Sequence, residues 1–174
     1  MTNRLNDVDI ESVAGLAGHI TETPEAAHTT WSASVRWTGG FRSEATIRDF
    51  QPTPSDEPKG LGGTDTAPNP VEQLLGALGN CLAVGYAANA TARGIAINDL
   101  SIRLDGDLDL QSFLGLVPGH AGFHDIRAIV DIDSSASLEE LEDLHRHVLE
   151  TSPVGHTLKA SVPVSIHLSA PAAV

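Results

Sequence analysis

Hydrophobic and polar positions along the chain change period several times, and each change marks an element. Between residues 8 and 22, Ile10, Val13, Ala17 and Ile20 recur at helical spacing until Pro24 stops the pattern. This predicts a short amphipathic helix that docks on something larger. Residues 28–37 and 41–50 alternate instead, with Trp31, Ala33, Val35 and Trp37 on one face and Gly39-Gly40 between the runs, which predicts a β-hairpin. Residues 51–69 are rich in Pro, Gly, Asp and Thr and read as a long loop, a place where function is often found.

The strongest start signal follows. Asn69 suits an N-cap, Pro70 the first helical position, and Glu72 completes a capping box. The helix runs to Arg93 and ends before Gly94. It is apolar nearly all round, which predicts a buried central helix. Gly76, Gly79 and Ala83 form a strip of small residues where another backbone could come close. Strands are expected over 95–110 and 123–133, with a connection over 111–122. Ser137 with Glu140 caps a further amphipathic helix, Ser152-Pro153 opens a short one through Ala160, and the alternating VPVSIHLSA closes the chain as a strand. This order lacks strict βαβ alternation, so it predicts an α+β fold, antiparallel sheets around a buried central helix. Residues 1–27 read as a helical extension and 28–174 as a single domain. No one sheet face can bury such an apolar helix, so either the chain wraps it or a second subunit covers it, and a homodimer is expected.

Composition narrows the partners. The chain has 174 residues, enough to bury a core without disulfides or a structural metal. With 10 Lys+Arg against 23 Asp+Glu the formal charge is −13, which repels nucleic acid and anionic membranes. Aromatics make up only 4%, so Leu, Val, Ile and Ala must form the core. The N-terminus has no basic region leading into an apolar run, and no stretch of 18 apolar residues exists, so a cytoplasmic protein is expected. A single cysteine, Cys81, cannot form an intramolecular disulfide, which fits a reducing compartment.

Cys81 is also the only thiol that could carry covalent chemistry. In an apolar helix a cysteine is ordinarily an inert small hydrophobe, and reactivity would need a cation brought in from elsewhere. Glu72 precedes it by nine positions, half a turn round the helix and roughly 13 Å along it. The two side chains of one helix therefore cannot share a site and could meet only across a symmetric interface. Eight histidines are present, but none of their spacings suggests the three or four converging ligands of a zinc site, and no metal or other cofactor is expected. His124 and His156 are candidates to line a pocket. The GLGG of the loop matches no phosphate-binding motif and reads as turn glycine. Ser152 reads by default as an N-cap.

Two segments resemble a known family. LGGTDTAPNPVEQLLGALGNCLA (residues 61–83), followed by RGI (93–95), is similar to the signature of the OsmC/Ohr proteins, the osmotically inducible and organic-hydroperoxide-resistance proteins. SPVGHTLKASVPV (152–164) resembles the family's CPVSxxLK segment. The resemblance spans about residues 28–168, and the N-terminal helix with residues 106–118 looks like a longer OsmC-like subgroup. It implies an intertwined homodimer with two active sites at the interface. It also implies that Cys81 is the peroxidatic thiolate and that Glu72 comes from the partner subunit. A cation that activates the thiol would come from Arg48 or Arg42, with Arg48 nearer the loop. The family's second, resolving cysteine falls at Ser152. The implied activity is that of a one-cysteine thiol peroxidase, which reduces organic hydroperoxides and is itself reduced by an external thiol. The alternative is a non-enzymatic relative that binds an apolar small molecule at the dimer interface.

Overall fold

The computed structural model describes residues 4–160 and 162–168. In chain order the elements are α1 (Ile10–Glu22), β1 (Ser34–Gly39), β2 (Arg42–Thr46), β3 (Thr53–Ser55), α2 (Pro70–Ala92), β4 (Ile97–Leu108), α3 (Leu110–Phe113), β5 (Phe123–Ser134), α4 (Leu138–Thr151) and α5 (Pro153–Lys159). Single turns of 3-10 helix join some of them. Two antiparallel sheets result, one in the order β1-β2-β3 and one a long β4-β5 ribbon.

The core lies where α2 and α4 pack over β4-β5. Leu78, Leu82, Tyr86 and Ala90 of α2 meet Leu144 and Val148 of α4, with Ile95 closing one end. Leu100, Ile102 and Leu104 of β4 and Ile126, Val130 and Ile132 of β5 pack against them, while Asp99, Ser101, Arg103 and Asp105 of β4 point outward, as a period of two requires. Glycines permit the closest contacts. A Cβ at Gly79 would lie 2.9 Å from Leu104 Cδ1, and one at Gly85 would lie 3.0 Å from Val148 Cγ1. The small-residue strip thus admits side chains of the same chain at Gly79, whereas Gly76 faces open space. The buried Tyr86 hydroxyl bonds to His145 Nδ1, and burial raises its titration above the ordinary value.

Three expectations need correction, and another stands: as a helix that no single sheet face can bury, α2 is buried within one chain on one side only, with Gly76, Ala77, Asn80 and Val84 exposed along the other. A helix presents a full circumference, and one two-stranded sheet with one helix covers about half of it. The first strand starts at Ser34, not at residue 28, so Trp31 and Ala33 precede the sheet. Val35 and Trp37 do share a face, but that face is bare, with Trp37 72% exposed. The closing strand is absent over 162–168, and Val162, Val164, Ile166 and Leu168 are all exposed. Alternation alone cannot make a strand without an edge to pair with. Residues 169 and 170 of that expectation lie outside the described residues. Finally, the segments read as loop and connection each hold a short element, β3 and α3.

The N-terminal helix has no buried residue. Its anchor is Asn6, whose amide donates to Thr91 Oγ1 and to the Ile95 carbonyl, at 3.0 and 2.9 Å, and accepts from the Ile97 N–H at 2.9 Å.

The long loop is ordered by one carboxylate. Asp56, 1% exposed, accepts from the N–H groups of Glu57, Thr64 and Thr66 and from both threonine hydroxyls. These bonds, with the Thr64 hydroxyl foremost, hold its titration well below the ordinary value of 3.8. A lowered folded value means that the carboxylate stabilises the fold fully above the unfolded value, and that this contribution is lost as pH falls through the lower folded value. The expected result is that Asp56→Asn lowers the urea midpoint at pH 6, and that the gap to wild type narrows as pH falls below about 4. A gap unchanged down to about pH 2.5 would contradict this account.

Candidate active site

Helix α2 begins as its sequence requires. The Asn69 side chain accepts from the Glu72 N–H at 2.9 Å, and Glu72 Oε2 accepts from the Asn69 N–H at 2.8 Å, so the capping box is complete. Glu57 Oε2 accepts from the Asn69 amide at 3.3 Å, and Gln73 donates to the carbonyls of Pro54 and Pro68, which ties the helix start to the loop. Glu72 uses one carboxylate oxygen in the cap. It also borders a cavity of about 400 Å³, whose walls are mostly apolar: Leu61, Val71, Leu75, Leu108, Phe113 and Phe123.

Cys81 lies two and a half turns further along α2 and is half-buried. Its sulfur is 3.3 Å from Ser152 Oγ. Ser152 is 4% exposed and caps α5, its Oγ accepting from the Gly155 N–H at 3.1 Å. A Cβ at residue 155 would come within 3.0 Å of that oxygen, so glycine leaves room for the capping side chain. The default reading of Ser152 as an N-cap is correct but incomplete: the same oxygen meets the only thiol. The sequence singles out position 152 only as the counterpart of a cysteine, and no local signal foretells the contact.

The other site candidates do not reach Cys81 within one chain. Glu72 is held in its cap. Arg48 is exposed, adopts a left-handed backbone conformation (φ 50°), and lays its guanidinium 4.6 Å over the Phe50 ring. Arg42, the other candidate, donates to the Thr64 hydroxyl at 3.4 Å and so joins the Asp56 loop.

A second cavity, about 350 Å³, has Ser152 in its lining. Leu78, Leu82, Ile126 and Leu158 give it an apolar floor, and His124 and Lys159 stand on its wall. His124 therefore lines a pocket as expected. His156 is not part of that lining, and its Nε2 bonds with the Glu150 carbonyl at 2.9 Å. His120 and His124 meet edge to face at 5.7 Å. Among the described residues no three His, Cys, Asp or Glu side chains are placed to hold a metal, and no helix is long and apolar enough to cross a membrane.

This fold, with a cysteine in the long helix and a capped short helix against it, is that of a recognised class. The model of the OsmC-like protein family matches residues 63–167, and the chain belongs to that family. Among solved structures it is similar to an OsmC-like protein from Mycoplasma pneumoniae, with 22% identity over 75% of this chain and 88% of that one and a TM-score of 0.66. An organic hydroperoxide resistance protein OsmC from Legionella pneumophila is 18% identical over 76% of this chain and 92% of that one, with a TM-score of 0.56. An organic hydroperoxide resistance protein from Elizabethkingia anophelis, with thiocyanate bound, is 17% identical over 75% and 90%, with a TM-score of 0.58. At such identities the likeness is one of fold. No curated protein matches the chain.

Proposed function

We propose that the protein is a one-cysteine thiol peroxidase acting on organic hydroperoxides through Cys81. The observation that supports this most directly is the 3.3 Å contact between Cys81 and Ser152, the two positions that correspond to the family's cysteine pair. The Cys81 thiolate attacks the distal, hydrogen-bearing peroxide oxygen: an S–O bond forms, the O–O bond breaks, and the departing alkoxide takes a proton from water. The sulfur ends as a sulfenic acid, oxidised by two electrons. With serine at 152 no thiol of the same chain can condense with it. An external thiol does so, releasing water and leaving a mixed disulfide, which a second equivalent of thiol reduces.

Activation of the sulfur requires a second copy of the chain in this reading. The bare face of α2, the bare hairpin face around Trp37, and the exposed alternating residues 162–168 are apolar surfaces of the kind a homodimer covers. Across that interface the partner subunit's Glu72 and Arg48 reach Cys81, with Arg48 stabilising the thiolate and Glu72 orienting Arg48. The cell compartment is the reducing cytoplasm, where thiol reductants are available. The apolar walls around Glu72 favour an organic peroxide over hydrogen peroxide.

A second reading, a binding protein for an apolar small molecule, draws on the two cavities and on the lack of any Arg or His bonded to Cys81 among the described residues of one chain. Stopped-flow mixing of the reduced protein with cumene hydroperoxide and with hydrogen peroxide separates the two. The expected result is fast consumption of the organic peroxide, slower reaction with hydrogen peroxide, and a fall to the rate without protein in Cys81→Ser. Oxidation no faster than that of a free thiol would leave the binding reading.

A further inference from the structure

We infer that the Ser152 hydroxyl donates a hydrogen bond to the Cys81 sulfur and so favours its ionised form. The inference rests on the peroxidase reading for its purpose, but its evidence is a count of donors and acceptors. A serine hydroxyl has one hydrogen and two lone pairs. One lone pair of Ser152 Oγ is taken by the Gly155 N–H at 3.1 Å. Among the described residues the only other partner of this oxygen is Cys81 Sγ, at 3.3 Å. Were the thiol the donor, the serine hydrogen would point nowhere in a position only 4% exposed, and a buried unmade hydrogen bond is costly. With serine as donor, the buried hydroxyl uses both its hydrogen and a lone pair, and the half-buried sulfur is the acceptor. That arrangement stabilises a thiolate, because a hydrogen bond given to the charged form favours that form.

The same geometry assigns Ser152 a role after oxidation. The cysteine that position 152 matches in the family would attack the oxidised sulfur, whereas a hydroxyl does not form a disulfide. Ser152 stays in place as a donor beside the sulfenic acid, and the external thiol must approach from the side of Cys81 that α5 leaves open.

The test compares the pH profile of Cys81 alkylation by iodoacetamide in wild type, Ser152→Ala, Ser152→Gly and Ser152→Thr, each as the full chain. Glycine is included because it is tolerated at an N-cap and keeps the fold where alanine weakens it. At about pH 7 alkylation is expected to slow roughly tenfold in the alanine and glycine variants, as for the loss of one hydrogen bond to a charged acceptor. The profiles converge with wild type at about pH 10, above the ordinary thiol range, and threonine restores the neutral rate. Profiles that superimpose at all pH values, or that differ by one constant factor throughout, would overturn the inference, since a constant factor reports access and not ionisation. No peroxide is used, so failure of the peroxidase reading would leave this result standing, and the reverse.

Discussion

On the proposed peroxidase reading, Ser152→Cys is expected to turn a chain that would stop at sulfenic acid into one that closes a disulfide between helices. The two side-chain heavy atoms are already 3.3 Å apart in the native protein, so the sulfurs need to approach by only about 1.3 Å to reach bonding distance. In that reading one equivalent of cumene hydroperoxide would oxidise Cys81 to a sulfenic acid, and the thiolate introduced at position 152 would attack that sulfur, expelling water. Trapping with dimedone, strong in the wild type, is expected to fall to background in the variant, and the thiol count to drop from two per chain to none. Peptide mapping without reductant would show Cys81 bridged to the side chain introduced at position 152. The bridge joins positions 71 residues apart in sequence, and chain entropy predicts a gain of about 4 kcal/mol for a loop of that size. Sulfenic acid persisting at Cys81 beside a free thiol at position 152, or disulfides only between chains, would show that the helices do not meet as described.

The second large effect concerns the loop that leads into α2. Gly63→Ala places a Cβ 1.8 Å from the Glu57 carbonyl oxygen and 2.4 Å from its carbon. Both atoms are backbone, so no rotamer change relieves the clash. The neighbouring bonds, Asp65 N–H to the Glu57 carbonyl at 3.1 Å and Gly63 N–H to the Pro58 carbonyl at 3.2 Å, hold the two sides of the loop together, and Asp56 caps the arrangement. Moving the loop apart sacrifices several of these at once. A loss of about 3 kcal/mol is expected, or a fall of about 6–12 °C in Tm for a chain of this size. Gly60→Ala, three residues away with nothing within 4 Å of its Cβ, serves as control and should stay within about 0.5 kcal/mol of wild type. Equal melting of the two variants would refute the close approach at residue 63.

How much of this is legible in the sequence differs from residue to residue. The start of α2 is legible to the residue, because Asn69, Pro70 and Glu72 satisfy one another within three positions. The same holds for α4, where Ser137 and Glu140 close a second capping box. The β4-β5 ribbon follows from alternation, with its ends misplaced by a residue or two. The 162–168 segment alternates just as well and is no strand, since pairing depends on an edge that alternation does not supply. Asp56 carries no signal of its role, because its partners, Thr64 and Thr66, lie across a loop whose path no periodicity describes.

The amino-acid sequence by itself determined the capped helices, the inward and outward faces of β4 and β5, the family of the chain, and the separation that keeps Glu72 and Cys81 of one helix apart. All of these rest on interactions within a few residues, on a fixed period of 3.6 or 2, or on a motif read directly. Tertiary structure alone decided that Ser152 meets Cys81, that Gly63 must lack a side chain, and which half of α2 is left uncovered. Those depend on contacts between segments far apart in the chain, where a residue's environment is set by whatever the fold brings to it.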